Sequence, residues 1–245
     1  MTPRDRFCEM LEHSKRIVGF TGAGVSTESG IADYRSQGGI WENFTPVYLD
    51  EFIASKEKRR LYWQRKQAMW QSLKPATPGP AHYFFSHLFN QEKLKGLITQ
   101  NIDGLHEKSG LPGEVIVNLH GTSLEIVCLS CGDVQPAQGF MDRLELTRES
   151  PVCDHCNGLL KPNTISFGQN LNTNDLMRAE KLVRNCDLLI AAGSTLIVHP
   201  AATFPVTAKQ SGARLVIITL SATPLDDQAD LVINEPLGQF LKDLF

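Results

Sequence analysis

Apolar residues gather in short unbroken runs along the chain, at 16–21 (RIVGFT), 95–99 (KGLIT), 115–119 (VIVNL), 187–192 (DLLIAA), 214–220 (RLVIITL) and 230–233 (DLVI). Each run is followed by small or polar residues. A strand with one wet face alternates apolar and polar positions, so unbroken runs predict strands covered on both faces, as in a parallel sheet. Helical spacing lies between several of them, at 4–14, 81–94, 174–185 and 201–211. Strands and helices in alternation predict an α/β fold, a doubly wound parallel sheet of Rossmann-like type.

Two segments interrupt the alternation. Residues 41–80 are helical in pattern and rich in aromatics (Trp41, Phe44, Tyr48, Tyr62, Trp63, Trp70), and they end in the helix-breaking stretch KPATPGP. Residues 122–162 hold Cys128-Leu129-Ser130-Cys131 and Cys153-Asp154-His155-Cys156, two C-x-x-C pairs with 21 residues between them. Two such knuckles make the closed tetrahedral thiolate cage of one structural zinc ion, with no position open for a reacting water. The expected division is a Rossmann-like unit over 1–40, 91–121 and 163–245 and a smaller helical and zinc-binding unit over 41–90 and 122–162. Cys8 and Cys186 fall outside the pattern and read as core thiols.

Ligands of a doubly wound sheet sit beyond the carboxyl ends of its strands. The residues there are Thr21-Gly22-Ala23-Gly24, Thr99-Gln100-Asn101-Ile102-Asp103, His120-Gly121, Gly193-Ser194-Thr195 and Thr219. Any one of these groups is an ordinary turn or cap; all five on one rim predict a nucleotide crevice. Gly22 and Gly24 begin a dinucleotide fingerprint, but Thr27 stands where a third glycine would pack helix on strand. A dehydrogenase also needs an acid ~20 residues beyond that loop. Asp33 comes too early, so hydride transfer is the weaker reading.

Composition narrows the remaining classes. With 245 residues, 42% hydrophobic and 21% charged, the chain can bury a large core. A net charge of −3 provides no broad field for nucleic acid. The N-terminal stretch lacks the apolar core of a signal peptide, and the most apolar segment, 187–198, is too short and too interrupted to span a bilayer. A cytoplasmic protein without nucleic-acid or membrane partners is expected; its oligomeric state is not legible.

The stretch from Gly22 through Ser26, Gly30 and Ile31 to Asp33-Tyr34-Arg35, then Thr99 to His106, His120-Gly121, the cysteine tetrad, Phe167-Gly168 and Gly193-Ser194-Thr195, resembles in order the sirtuins, NAD-dependent protein deacylases. The resemblance implies that the first loop runs into a cofactor loop holding NAD bent toward loss of nicotinamide, so the third glycine is not required. It implies that Gly22, Ala23, Gly24, Thr27, Asp33, Tyr34, Arg35, Gln100, Ser194, Thr195 and Thr219 contact NAD. Asn101, Ile102 and Asp103 are then expected to hold its carboxamide and the attacked face of the ribose. Asn101, Asp103 and His120 are the implied catalytic residues, His120 as general base. The partner is an acylated lysine in a protein or peptide, paired along Ile165, Phe167 and Gly168; the products are nicotinamide, free lysine and O-acyl-ADP-ribose. Departures from the usual pattern are Ala32 for Pro, Tyr34 for Phe, Gln169 for Glu, and Thr219 for an Asn on the adenosine ribose.

Tyr62 and Arg65 lie three apart, on one helix face. The pair resembles the Tyr-x-x-Arg with which one sirtuin branch receives succinyl and malonyl carboxylates. Tyr62-Trp63-x-Arg65 resembles equally the mitochondrial-type class II branch, credited with longer or branched acyl groups. Plain acetyl is therefore not expected to be the best substrate. The alternatives are protein mono-ADP-ribosyl transfer, against which His120 argues, and a non-enzymatic NAD-sensing module.

Overall fold

A computed structural model of the chain describes residues 1–33, 45–144, 150–242 and 244. The unbroken apolar runs are strands: β1 Ile17–Thr21, β2 Leu94–Thr99, β3 Ile116–Asn118, β7 Leu188–Ala192, β8 Arg214–Ile218 and β9 Leu231–Ile233. They form one parallel sheet in the order β3-β2-β1-β7-β8-β9. Side chains of successive residues enter opposite cores, which is why the runs do not alternate. Along β7, Leu188, Ile190 and Ala192 face helices Pro3–His13, Pro80–Asn90 and Leu237–Leu241, while Leu189 and Ala191 face helices Thr173–Asn185 and Thr203–Gln210.

The helices start where their sequence dictates. Thr2 and Asp5 close a capping box ahead of Pro3, and the Asn172 side chain accepts from the amides of Asn174 and Asp175. From β1 the chain proceeds to β2 and β3 on one side, then returns to place β7 on the other side of β1. The order therefore reverses between β1 and β7, the position at which such sheets open a crevice beyond their strand ends.

A second, antiparallel sheet contains β4 Gly121–Cys128, β5 Val134–Pro136 and β6 Leu160–Thr164, in the order β5-β4-β6. Ile126, Cys128 and Leu160 of this sheet share a third core with Phe52 of helix Leu49–Ala54 and with Tyr62, Trp63 and Trp70 of helix Lys56–Leu73. Helix Pro80–Asn90 corrects the expected boundary at residue 90. Its Ala81, Phe84, Phe85 and Leu88 lie in the core of the parallel sheet, because four apolar residues on one face need a large apolar partner.

Candidate functional site

The crevice is built on backbone contact between the loops after β1 and β7. The Gly22 amide donates to Ala192 O (3.1 Å) and the Gly24 amide to Gly193 O (2.9 Å). A β-carbon on Gly24 would lie 2.8 Å from Gly193 Cα, and one on Gly193, where φ is +60°, would lie 2.5 Å from Val25 N. Only glycines permit that approach. After Gly22 the chain makes two short 3-10 turns, Ala23–Val25 and Thr27–Ser29, instead of one long helix. The Thr27 hydroxyl donates to Gly24 O (3.0 Å), closing the turn where a dehydrogenase-type loop would carry its third glycine. A cradle too tight for any β-carbon, at the topological switch point, fits a dinucleotide.

Asn101 and Asp103, 7% and 6% exposed, follow β2 into this crevice. Ser26, which sequence reasoning did not single out as a site residue, joins them. Its hydroxyl donates to Asp103 Oδ2 (2.7 Å) and accepts from Asn101 Nδ2 (3.2 Å). Asn101 Nδ2 also donates to Gly22 O (3.1 Å), and the Leu105 amide donates to Asp103 Oδ1 (2.9 Å). The amide and the carboxylate are thus held in one orientation. Behind them, the Gly79 amide donates to His82 Nδ1 (3.0 Å), which puts the ring proton on Nε2, 3.5 Å from Ser26 Oγ. Burial holds His82 below the ordinary imidazole range although the Asp103 carboxylate pulls the other way. His106, fully enclosed, lies well below that range through burial and its neighbour His82; its Nε2 meets Thr21 Oγ1 at 3.0 Å.

His120 follows β3 and points along the same rim. Its Nδ1 is 3.0 Å from Gln100 O, a group that only accepts, so Nδ1 carries a proton and the neutral form of the ring has its lone pair on Nε2. Gly121 turns the chain with φ +73°, and a β-carbon there would stand 2.1 Å from Asn163 O. The Ile165 amide donates to His120 O (2.8 Å), which ties the histidine backbone to the segment Ile165–Gly168 that continues from β6. Phe167, 47% exposed, packs against the Tyr48 ring at 5.7 Å.

The remaining expected residues divide. Gln100 Nε2 donates to Ser194 Oγ (3.0 Å), and Ser194 and Thr195 continue the loop after Gly193. The Ile102 carbonyl accepts from the Ser123 amide (2.8 Å), which anchors the loop after β2 to the small sheet. Thr219 directly follows β8, its carbonyl accepting from Asn234 Nδ2 (3.0 Å). Asp33 lies at the margin of the crevice loop, whereas Tyr34 and Arg35 lie outside the described residues. Tyr62 is a core residue: its ring meets Phe52 at 4.9 Å and its hydroxyl is buried. Burial pushes that phenol up, but the ammonium groups of Lys66 and Lys161 and the Thr164 and Ser166 hydroxyls outweigh it and hold it below its usual value. The Arg65 guanidinium donates to the Thr45 carbonyl.

Cys128, Cys131, Cys153 and Cys156 converge with their sulfurs within 4.8 Å of one another. Cys128 and Cys156 stand 3.5 Å apart and Cys131 and Cys153 3.8 Å apart. Thiolates bound at ~2.3 Å to a tetrahedral zinc lie ~3.8 Å apart, whereas a disulfide brings sulfurs to ~2.0 Å. Backbone N–H groups of Cys131 and Ser130 aim at Cys128 Sγ and hold its pKa down at about 6. The tetrad suits one structural zinc ion, and four protein thiolates leave it no open position.

The Sir2 family model matches residues 22–200. An NAD-dependent protein deacetylase 1 of Bradyrhizobium diazoefficiens is 44% identical over 237 residues, 97% of this chain and 93% of that protein. An NAD-dependent protein deacetylase of Rhodopseudomonas palustris is 42% identical over 95% of this chain and 92% of its own. Among solved structures, a Sir2–p53 peptide–NAD+ complex is 34% identical with a TM-score of 0.87, covering 100% of this chain and 97% of that one. Sir2Tm bound to a propionylated peptide is 32% identical, TM-score 0.87, covering 99% and 97%.

Proposed function

We propose, from the premise that this chain belongs to the Sir2 family and is an NAD-dependent protein deacetylase, that the strand-tip crevice carries the reaction through Asn101, Asp103 and His120. The observation that carries this reading is the convergence of Gly22, Ser26, Asn101 and Asp103 in one buried network, with His120 held beside it on Gln100 O. The relatives in complex with p53 and propionylated peptides support an acyl-lysine peptide as partner here.

NAD, when bound, supplies an electrophilic ribose carbon and nicotinamide as leaving group. Gly22, Gly24 and Gly193 would hold its phosphates against the loop backbone, with Gln100, Ser194 and Thr195 beside them. Asp103 and Asn101 present a fixed acceptor and a fixed amide to the nicotinamide end, and their burial keeps water from the reacting carbon. His120 takes a proton at Nε2 from a sugar hydroxyl, a step suited to an imidazole that is neutral near pH 7. The Ile165–Gly168 edge receives the peptide as an added strand and, through the Ile165 amide on His120 O, sets its distance from that base.

The acyl group is the finer part of the proposal. Arg65 and Lys66 give helix Lys56–Leu73 a cationic character, with Lys66 standing over the ring of the core residue Tyr62. That character favours an acyl chain longer than acetyl, ending in a carboxylate as in succinyl or malonyl, or a longer chain that reaches the same wall. Nicotinamide release from matched acetyl, succinyl and lipoyl peptides tests it. A higher kcat/KM for one of the longer groups, reordered by Arg65→Met, is expected; acetyl ranking first with the order unchanged in the variant overturns it.

A further inference from the structure

Lys161 is 1% exposed, yet the proposed chemistry does not use it. It lies on β6, an edge strand of the small sheet, four residues before Ile165. Its Nζ donates to Pro162 O (3.0 Å) and to Thr164 O, two of the last three carbonyls of the strand. The titratable groups facing it are Tyr62 and Lys66, both on helix Lys56–Leu73; among the described residues its ammonium meets no carboxylate. Lys66 Nζ stands 3.4 Å from Thr164 Oγ1, so a second ammonium bears on the same residue from the helix side. Enclosing a cation without a counter-charge is costly, and such an arrangement persists only where its hydrogen bonds repay the cost. Here both bonds go to backbone at the exit of one strand. Beyond that exit, Ile165 N donates to His120 O.

We infer that Lys161 is a positioning residue: its ammonium clamps the Pro162 and Thr164 carbonyls, fixes the angle at which Ile165–Gly168 leaves β6, and so presets the edge that receives the acyl-lysine peptide. The inference rests on the strand-addition reading given above. Removing the ammonium frees the strand exit and weakens peptide binding, while the NAD loops after β1 and β7, on the other sheet, are untouched.

The test measures anisotropy of fluorescent acetyl-lysine and succinyl-lysine peptides on the zinc-loaded enzyme, alongside KM for NAD and the melting temperature. Each peptide is also used in a form N-methylated at the backbone next to the acyl-lysine. Lys161→Met is expected to weaken binding of the unmethylated peptides ~10-fold or more, with KM for NAD within ~2-fold of wild type. Lys161→Gln, which keeps a donor and loses the charge, should fall between, and Lys161→Arg should recover most of the affinity. If Lys161→Met does not fold, Lys161→Gln carries the comparison. N-methylated peptides bound as tightly as their parents overturn the strand-addition reading itself. A wild type sensitive to N-methylation, with folded Lys161 variants that bind like it, overturns the inference alone. Peptide and NAD affinity falling in parallel overturns it in favour of a lysine that only supports the fold.

Discussion

The parallel sheet and the small antiparallel sheet hold their functional groups by different means. The crevice at the tips of β1, β2, β3 and β7 is specified from within: both faces of the sheet are buried, glycine backbones touch, and Ser26 bonds both Asn101 and Asp103. The small sheet has a modest core and a cluster of four thiols that repel one another as thiolates unless a cation sits among them. On the proposed reading the chemistry belongs to the first region and the peptide edge to the second, with His120-Gly121 as the join. From this contrast the crevice is expected to survive loss of the metal and turnover is not.

Removing the metal tests that contrast with the largest expected effect. Structural zinc sites contribute on the order of 10 kcal/mol to the folding of small modules. Chelation, or Cys153→Ser, should abolish deacylation and strip hydrogen-exchange protection from β4, β5 and β6 while β1, β7 and β8 keep theirs. Simultaneous loss of protection in β7 would make the two sheets one cooperative unit and end the comparison.

His120→Ala probes the join itself. Loss of a general base costs ~10²–10⁴ in rate. Product release in single turnover should fall by that factor with peptide affinity within ~2-fold, since the main-chain bond from Ile165 to residue 120 remains. Retained turnover would assign the proton transfer to another group.

Ser26→Ala isolates the crevice. It leaves Asp103 and Asn101 each short of a partner in a buried site, a loss of ~1–3 kcal/mol, or ~10–100-fold. The fall should appear in kcat/KM for NAD and not in peptide affinity. An equal fall in both would mean that the network braces the peptide edge as well.

Legibility in the sequence followed the range of the interactions involved. The runs at 187–192 and 214–220 were readable as strands because a doubly covered strand needs nothing but apolar residues, and the cysteine spacing because a zinc cage constrains its ligands locally. Ser26 was not readable as a hub: its partners Asp103 and His82 are 77 and 56 residues away, and a serine in a glycine-rich turn has an ordinary local explanation. Helix Pro80–Asn90 was assigned to the wrong core because its pattern shows an apolar face but not which sheet that face meets. β5 is three residues long and largely exposed, so its pairing depends on β4 rather than on its own sequence. Tyr62 shows the same limit: helical spacing puts it on one face with Arg65, and packing takes Tyr62 into the core while Arg65 bonds the Thr45 carbonyl.

The smallest expected effect separates the two regions by pH. His82 and His106 are both buried behind the crevice and both held below the usual imidazole range, so they stay neutral in the folded protein where the unfolded chain would take up protons. The unfolded state then binds more protons below its own histidine pKa of ~6.5, and stability falls as pH drops through that value toward the folded-state pKa. Above ~6.5 their contribution is complete and flat. Melting followed by hydrogen exchange between pH 7.5 and 5 should show β1 and β2 losing protection as acid is added, with the slope reduced in His82→Gln. β8, two strands away from β1, should lose less at each pH, since the two rings bond Thr21 at the end of β1, Ser26 and Gly79. Equal slopes in β2 and β8, unaltered by His82→Gln, would mean that the acid sensitivity arises elsewhere and that the crevice titrates no differently from the rest of its sheet.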